Sequence, residues 1–200
     1  GEVVNFHEQD ERKLLVGTIG ELFRSLIEEH SGVPFTDWYF ANIVKTHIPD
    51  NKDPSVEELE QHRKYLDAEI EIVNPELIIT LGKFSLRKFL PGTTIVKVHG
   101  ILHKIHYPVG LSGAGEPATV YVLPLFHPAA VMRFAQKKQA LIESLHKIPD
   151  ILALIEKDKA LEQAKEPPQP EKLTFLQQEF AKSDKTLTQP KITVIRYRHK

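Results

Sequence analysis

Short runs of apolar residues alternate with longer amphipathic segments along this chain. The apolar runs predict buried strands at Trp38–Lys45, Leu77–Leu81 and Thr119–Phe126. The amphipathic segments carry apolar residues at helical spacing and predict helices at 17–30, 55–73, 83–90, 128–147 and 150–165. Continuous apolar strands between amphipathic helices are typical of a parallel sheet that is covered on both faces. The pattern therefore predicts an α/β protein.

Weaker patterns occur in two parts of the chain. Thr94–Tyr107 predicts one or two short strands around Gly100, and a loop follows it. Near the C-terminus, a Pro-rich linker at 166–172 precedes Lys191–Lys200, whose alternation indicates a half-buried strand with a basic, aromatic face. That segment could be an added strand, a docking arm or a nucleic-acid contact, and it is equally suited to packing and to binding. We predict one α/β domain at 1–148 and a C-terminal extension of helix, linker and tail at 149–200.

Composition excludes several classes of function. The chain has 200 residues, and its 26 basic side chains nearly balance its 27 acidic ones, so a nucleic-acid contact would require a local patch. It contains no cysteine, which excludes disulfides, thiolate zinc sites, iron–sulfur clusters and cysteine nucleophiles. The sequence carries no apolar run of membrane-spanning length and no secretory signal, which predicts an intracellular protein.

The strongest chemical signal lies in Thr119–Arg133. Its apolar run ends at His127, and Pro128 suits the first position of the helix that follows. His127 is therefore expected at the carboxyl end of a strand, where open α/β sheets bind ligands, and beside a helix N-terminus. An imidazole there could stabilise negative charge on a substrate oxygen, and a helix-capping or core histidine is the alternative.

Two further polar features could carry chemistry. Asn42 lies within an apolar strand, and its amide matches the edge of a pyrimidine, although such a group can also tie down a loop. The N-terminal segment is acidic and includes Glu2. Its carboxylates either cap a helix or, beside a reacting sugar, orient water and stabilise an oxocarbenium-like cation.

Histidine and basic side chains complete the candidates. His99, His103 and His106 flank Gly100, but their spacing matches no ligand signature, so no metal site is predicted. Basic residues follow the predicted strand ends and would form one basic rim for phosphate contact, or else solvated helix faces. They are Lys45, Lys83, Arg87, Lys88, Arg133, Lys137 and Lys138.

These motifs together resemble the uracil-DNA glycosylase superfamily, most closely its family 4 branch. In order along residues 1–148 they are Gly1–Glu2, Val16–Leu22, Asn42–Lys45, Asn51–Glu58, Asn74–Gly82, His99–His103 and His127–Arg133. The resemblance implies a three-layer α/β/α sandwich around a mostly parallel four-stranded sheet. It also implies a monofunctional DNA glycosylase that acts on DNA containing uracil or a related deaminated base. Such a protein would be a monomer and would not associate with a membrane.

The resemblance implies a role for each matching residue. Asn42 would recognise the uracil edge, His127 would stabilise charge on the uracil oxygen, and Glu2 would position water. The other substrate-binding positions would be Val4, Asn5 and Leu15. The positions implied in DNA binding are Lys45, the wedge residues Val131 and Met132 that enter the base stack, and Arg133 near the backbone.

The chain departs from the family pattern in its pocket. Family 4 members usually have proline and glycine where this chain has Val4 and Asn5, and Leu15 replaces an aromatic residue that stacks on uracil. Since base stacking contributes about 1–3 kcal/mol, Leu15 would weaken or broaden base recognition.

Two further departures concern the scaffold. Members usually hold an iron–sulfur cluster with four cysteines, two of whose places are taken here by Thr46 and His62, so no cofactor is expected. The family pattern also has a strand just before Gly1–Glu2. We expect either that the sequence is incomplete there or that another segment takes that place, with Lys191–His199 as one candidate.

The leading hypothesis is a glycosylase that excises uracil from DNA and leaves an abasic site. One alternative is a catalytically weakened relative that binds DNA or a protein partner through the same face. Another keeps the chemistry but acts on a different deaminated base, such as hypoxanthine, because Asn5 and Leu15 reshape the pocket.

Overall fold

A computed structural model describes residues 17–46, 53–108, 117–164 and 192–196. The helices are α1 (Thr18–His30), α2 (Val56–Val73), α3 (Gly82–Phe89), α4 (Ile95–Val98), α5 (Pro128–Arg133), α6 (Ala135–His146) and α7 (Ile148–Gln163). The strands are β1 (Trp38–Asn42), β2 (Leu77–Leu81), β3 (His103–Pro108), β4 (Pro117–Leu125) and β5 (Ile192–Arg196). Within these ranges, every helix is too short or too polar to cross a membrane.

The strands form one mixed sheet in the order β1-β5-β2-β4-β3. The first four of these are parallel to their neighbours, whereas β3 runs antiparallel to β4. The predicted mostly parallel sheet is therefore confirmed. It has five strands instead of the four expected, because the C-terminal segment contributes β5.

Strand β5 occupies a central position in the sheet. It pairs in parallel with β1 on one side and with β2 on the other. Ile192 and Val194 pack into the core on one face of the sheet, and Ile195 packs into the core on the other. Helix α7 also joins the first core, through Ile155. Both elements beyond residue 148 thus pack into the same sheet and core as the rest of the chain.

Helices cover both faces of the sheet, which confirms the predicted three-layer α/β/α sandwich. One core contains Phe23 of α1, Leu141 of α6 and Ile155 of α7. The opposite core contains Leu66 of α2 and Phe84 of α3. Strand β2 serves both faces, since all five of its residues are buried. Such double burial explains why this strand is continuously apolar.

Local signals in the sequence determine how α2 begins and ends. Ser55 and Glu58 form a capping box, with the Glu58 N–H donating to Ser55 Oγ at 3.1 Å and the Ser55 N–H donating to Glu58 Oε2 at 2.8 Å. The helix ends at Asn74, which adopts a left-handed conformation with φ 45°. Asparagine tolerates this conformation better than most residues, so the chain turns there into β2.

Two predicted elements differ in the structure. The segment 94–107 contains one helical turn, α4, and one strand, β3, instead of two short strands. The helix predicted at 128–147 is broken at Phe134, which is extended with φ −136° and ψ 109°. The Phe134 carbonyl then accepts from the N–H groups of Lys137 and Lys138, which starts α6. Apolar spacing continues through this break, so periodicity alone does not locate it.

A buried ion pair ties α2 to α3 and the edge strand. Lys88 Nζ lies 2.7 Å from Asp67 Oδ1, and the two side chains are only 7% and 2% exposed. The Tyr107 hydroxyl donates to Asp67 Oδ1 at 3.0 Å, and Arg63 approaches the other carboxylate oxygen. Burial lowers the pKa of Lys88 and, together with the charge of Asp67, raises that of Tyr107. Asp67 therefore balances the positive charge of Lys88.

Substituting Asp67→Asn should lower the free energy of unfolding by about 3 kcal/mol, because it leaves the Lys88 ammonium buried without a counter-ion. Urea denaturation measures this change. The matched control is Asp53→Asn, which breaks the exposed Lys83–Asp53 pair and should cost less than about 1 kcal/mol. Equal effects of the two substitutions would contradict this account of the cluster.

Candidate functional site

The register of the parallel strands brings the predicted site residues to one edge of the sheet. Asn42 pairs with Arg196, Arg196 with Leu81, and Leu81 with Leu125, so the four residues form one row across β1, β5, β2 and β4. Three strand spacings separate the ends of that row, which is about 14 Å. His127 follows Leu125 by two residues. Asn42 and His127 thus lie at the same carboxyl edge.

Asn42 ends strand β1 with its amide partly buried. Its Oδ1 atom is buried and has no hydrogen-bond partner among the residues that the structure describes. Buried polar atoms in proteins nearly always have a partner, so such an acceptor is suited to a donor that a ligand supplies.

His127 lies directly after β4 and is only 6% exposed. It is the N-cap of α5, and its Nδ1 accepts from the Ala129 N–H at 3.2 Å. The capping role that the sequence left open is therefore real. Because Nδ1 acts as the acceptor, the neutral ring carries its proton on Nε2. The cap thus selects a tautomer that can donate from Nε2.

Gly82 allows the backbone that follows β2 to lie close to the His127 side chain. It follows β2 with φ +81°, and a Cβ added to it would lie 3.2 Å from His127 Cβ. Only glycine adopts this backbone conformation readily, and only glycine leaves the space that the imidazole uses. The sequence marked Gly82 as the start of a helix but carried no sign of its contact with His127.

Gly82→Ala should lower the free energy of unfolding by about 1–3 kcal/mol, because alanine is strained at this φ and crowds His127. Gly92→Ala is the matched control, since Gly92 has φ +82° and open space where the alanine methyl group would lie. Urea denaturation should show a larger loss for Gly82→Ala, and only that variant should shift the NMR resonances of the His127 ring. If Gly92→Ala costs as much, the His127 contact contributes nothing.

His99 contacts the backbone next to His127. Its Nδ1 accepts from the Phe126 N–H at 3.1 Å, and its ring stacks on that of Phe126 with centroids 3.9 Å apart. On its other side Nε2 lies 3.4 Å from Ser144 Oγ. Burial lowers the pKa of His99 and so favours the neutral ring; the Ala140 carbonyl acts in the opposite direction, and the charge of Lys147 adds to the effect of burial. From the sequence, His99 was considered as a metal ligand and as part of the His99–His103 motif, with no role assigned beside His127.

The helix after His127 presents different side chains from those expected. Val131 is 2% exposed and packs into the core, so it is not available as a wedge, and the prediction for this residue is wrong. Met132 is 51% exposed. Phe134, which the sequence did not single out, is 54% exposed at the junction of α5 and α6. Lys137 Nζ lies 4.4 Å from the centroid of the Phe134 ring.

The basic rim is narrower than the sequence suggested. Lys45 is paired with Glu69, Lys83 with Asp53, and Lys88 with Asp67. Arg87, Arg133, Lys137 and Lys138 make no ion pair with any residue in the described ranges. Arg87 lies on α3, whereas the other three lie on α5 and α6. The rim is therefore concentrated at the α5–α6 junction, beside Met132 and Phe134.

An iron–sulfur cluster does not fit the residues present. Such clusters are held by cysteine thiolates, and the chain has no cysteine. Thr46 and His62, at two of the positions implied for those ligands, contact each other instead, with Thr46 Oγ1 3.1 Å from His62 Nε2. In the part of the chain that the structure describes, no cluster of three or more histidine or acidic side chains could hold a metal ion.

The remaining predicted site residues lie outside the described ranges. They are Glu2, Val4, Asn5 and Leu15. Within those ranges the structure brings Asn42 and His127 to one edge, and it adds Gly82, His99 and Phe134 to the neighbourhood of His127.

Fold and site define an open α/β protein whose candidate ligand-binding groups follow the carboxyl ends of its parallel strands. Comparison with known families agrees, since residues 5–147 match the uracil DNA glycosylase superfamily. The chain belongs to this superfamily.

Several characterised relatives are similar to the chain. A type-4 uracil-DNA glycosylase from Saccharolobus solfataricus is 31% identical over 158 residues, which cover 76% of this chain and 69% of the relative. One from Thermotoga maritima is 34% identical over 135 residues, 66% of this chain and 64% of the relative. A DNA polymerase of Bacillus phage SP01 is 29% identical over 146 residues, which cover 73% of this chain but only 14% of the polymerase.

Proposed function

We propose that this protein is a DNA-repair glycosylase that hydrolyses the N-glycosidic bond of uracil in DNA and leaves an abasic site. Membership of the superfamily and the type-4 relatives support this function in general. The observation that supports it most is the placement of Asn42 and His127 at the same carboxyl edge of the sheet. In addition, Asn42 Oδ1 is buried and lacks a hydrogen-bond partner among the described residues.

Asn42 supplies the chemistry for reading the base. Uracil presents one N–H donor between two carbonyl acceptors, and an asparagine amide offers the complementary acceptor and donor. The buried Oδ1 would accept from the base N–H, and Nδ2 would donate to a neighbouring carbonyl. A site built from such bonds rejects bases that cannot make them.

His127 would act on the leaving base. When the bond between C1′ and N1 breaks, its electron pair goes to the base, and negative charge develops on the base carbonyl oxygens. The Nε2–H of the capped ring could donate to one of these oxygens. Fixed donors of this type are the largest single contribution in many enzymes.

Water completes the reaction. It would add to C1′ of the cationic sugar, and its released proton would balance the charge of the departing base anion. Glu2 is proposed as the carboxylate that orients this water and stabilises the sugar cation, and Val4, Asn5 and Leu15 as the remainder of the base pocket. Each of these steps uses only side chains of the protein and water.

The exposed side chains of the α5–α6 junction would face DNA. A base must leave the stack to reach a pocket of this kind, at a cost of about a few kcal/mol. Met132 and Phe134 are exposed apolar groups that could fill the space left behind, and Arg133, Lys137 and Lys138 supply positive charge for phosphates. This assignment keeps Met132 as a wedge residue and adds Phe134.

His127→Ala should lower the single-turnover rate of uracil excision by at least about a hundredfold, because it removes the proposed donor to the leaving base. Asn42→Ala should lower it by about tenfold to a hundredfold through loss of base recognition. Both are measured on single- and double-stranded oligonucleotides with one uracil. His106→Ala, an exposed histidine on the edge strand β3, is the matched control and should keep the wild-type rate.

The same assay distinguishes the alternatives. Excision by the wild type no faster than by a His127→Ala, Asn42→Ala double variant would contradict the proposal for uracil. Parallel substrates with hypoxanthine and other deaminated bases then identify a different preferred base. Salt-dependent DNA binding without abasic product would instead identify a binding module.

Replacing both Met132 and Phe134 by alanine should reduce excision from double-stranded DNA by about tenfold, since stacking on an aromatic contributes about 1–3 kcal/mol per base. Excision from single-stranded DNA should change less, because no partner strand has to be opened. The control is Leu154→Ala, a side chain with similar exposure on α7. That helix lines a groove with Asp37 and Glu76. These two residues directly precede β1 and β2, so the groove lies at the amino ends of the strands, whereas Asn42 and His127 lie at the carboxyl ends. An equal loss on both substrates would contradict a wedge.

A further inference from the structure

We propose that His99 is a positioning residue for His127, acting through the backbone of Phe126. The inference rests on the proposed function for its catalytic consequence, but its structural part can be tested without activity. One observation carries it, the hydrogen bond from the Phe126 N–H to His99 Nδ1. A ring stack on the Phe126 side chain and a contact with α6 accompany this bond.

Phe126 needs a partner that the sheet does not provide. The pairing of β4 with β2 ends at Leu125, opposite Leu81, so the Phe126 N–H lies just beyond the parallel ladder. His99 Nδ1 accepts this N–H at 3.1 Å. The residue immediately before His127 is therefore held by a side chain from α4's C-terminal end, 27 residues earlier in the chain.

The contacts of His99 are consistent with one tautomer. Because Nδ1 accepts, the neutral ring carries its proton on Nε2, which faces Ser144 Oγ at 3.4 Å. The Ser144 hydroxyl in turn donates to the Ala140 carbonyl at 2.9 Å. A directed chain of hydrogen bonds thus connects the Phe126 backbone with α6, and it requires a neutral His99.

The glycine that follows His99 allows the chain to pack closely against β4 and α6. This residue, Gly100, has φ +70° and donates its N–H to the Pro124 carbonyl at 2.9 Å. A Cβ added to Gly100 would lie 2.6 Å from Ser144 Oγ, so glycine is required for this approach. Two hydrogen bonds, to Pro124 and from Phe126, therefore fix the end of β4 from the same turn.

Two lysines lie near the stacked rings of His99 and Phe126. Lys137 Nζ is 5.5 Å from the centroid of the Phe126 ring that stacks on His99, and Lys147 acts on His99 electrostatically. The charge of Lys147 opposes a second proton on His99, whereas the Ala140 carbonyl favours one. Burial is the largest effect and favours the neutral form that accepts from Phe126.

Two substitutions separate the hydrogen bond from the ring stack. His99→Asn keeps an acceptor at the δ position but loses the ring, whereas His99→Phe keeps a ring but loses the acceptor. Ser144→Ala is the matched control, because it removes the contact at Nε2 and leaves Nδ1 free to accept. If His99→Phe does not fold, His99→Leu replaces it with the same expectation.

The structural readout is NMR of the free protein. His99→Phe should raise the exchange rate of the Phe126 amide by about fivefold or more, because its acceptor is lost, and should shift the His127 ring resonances. His99→Asn and Ser144→Ala should leave both close to wild type. Unchanged Phe126 exchange and unchanged His127 resonances in His99→Phe would overturn the proposal, whatever the protein's activity.

The catalytic test compares two quantities measured with uracil-containing DNA: the single-turnover rate of excision and the dissociation constant of the DNA. A displaced catalytic group can cost about a hundredfold, so His99→Phe should lower the single-turnover rate by at least about tenfold and leave the DNA dissociation constant within about twofold. His99→Asn should recover most of the rate. A loss of affinity without loss of rate would overturn the positioning role. If the wild type excises nothing, the function proposal fails and the NMR readout still decides this one.

Discussion

The pairing of β5 with two neighbours is the constraint on which the candidate site depends. Among the described residues, β1 pairs only with β5, so Asn42 is placed relative to the rest of the sheet through that strand. Ile192, Val194 and Ile195 bury their side chains in the two cores and fix the register from both faces. A shift of β5 along either neighbour would move Asn42 relative to Leu125, and with it the distance to His127. The placement of Asn42 relative to His127 therefore rests on the backbone hydrogen bonds that β5 makes with β1 and β2.

His127 and the α5–α6 junction differ in how tightly they are held. His127 is bounded by the end of β4, the backbone of Gly82, the Ala129 N–H and, through Phe126, the ring of His99. Few alternative positions remain for a side chain enclosed in this way, which suits a group that must meet developing charge without rearrangement. Met132 and Phe134 are half exposed nearby. Under the proposed function, a fixed catalytic group lies beside adaptable contacts, and one short helix carries both.

Sequence patterns predicted most elements because their signals are local. The apolar run Leu77–Leu81 is buried on both faces, and Ser55 with Glu58 forms the capping box of α2 at the start of the helix predicted over 55–73. Long-range facts were not predictable. Alternation in Lys191–Lys200 indicated a strand but not its place between β1 and β2, because alternation does not identify a partner. His127 and Asn42 were found from residue type and position, whereas the role of His99 depends on a contact that no local pattern encodes.

Charge shows the same dependence on tertiary structure. A formal net charge of −1 gave no indication of nucleic-acid binding, and seven basic side chains were candidates for a rim. Within the described ranges, folding pairs Lys45, Lys83 and Lys88 with carboxylates and leaves four side chains without an ion pair. Arg87 is on α3, and Arg133, Lys137 and Lys138 are on the two helices that follow His127. Because charges separated by more than about 8 Å in water are largely screened at physiological salt, a nearby phosphate responds to this local group more than to the total. A nearly neutral protein can therefore present a local basic surface on the helices that follow His127.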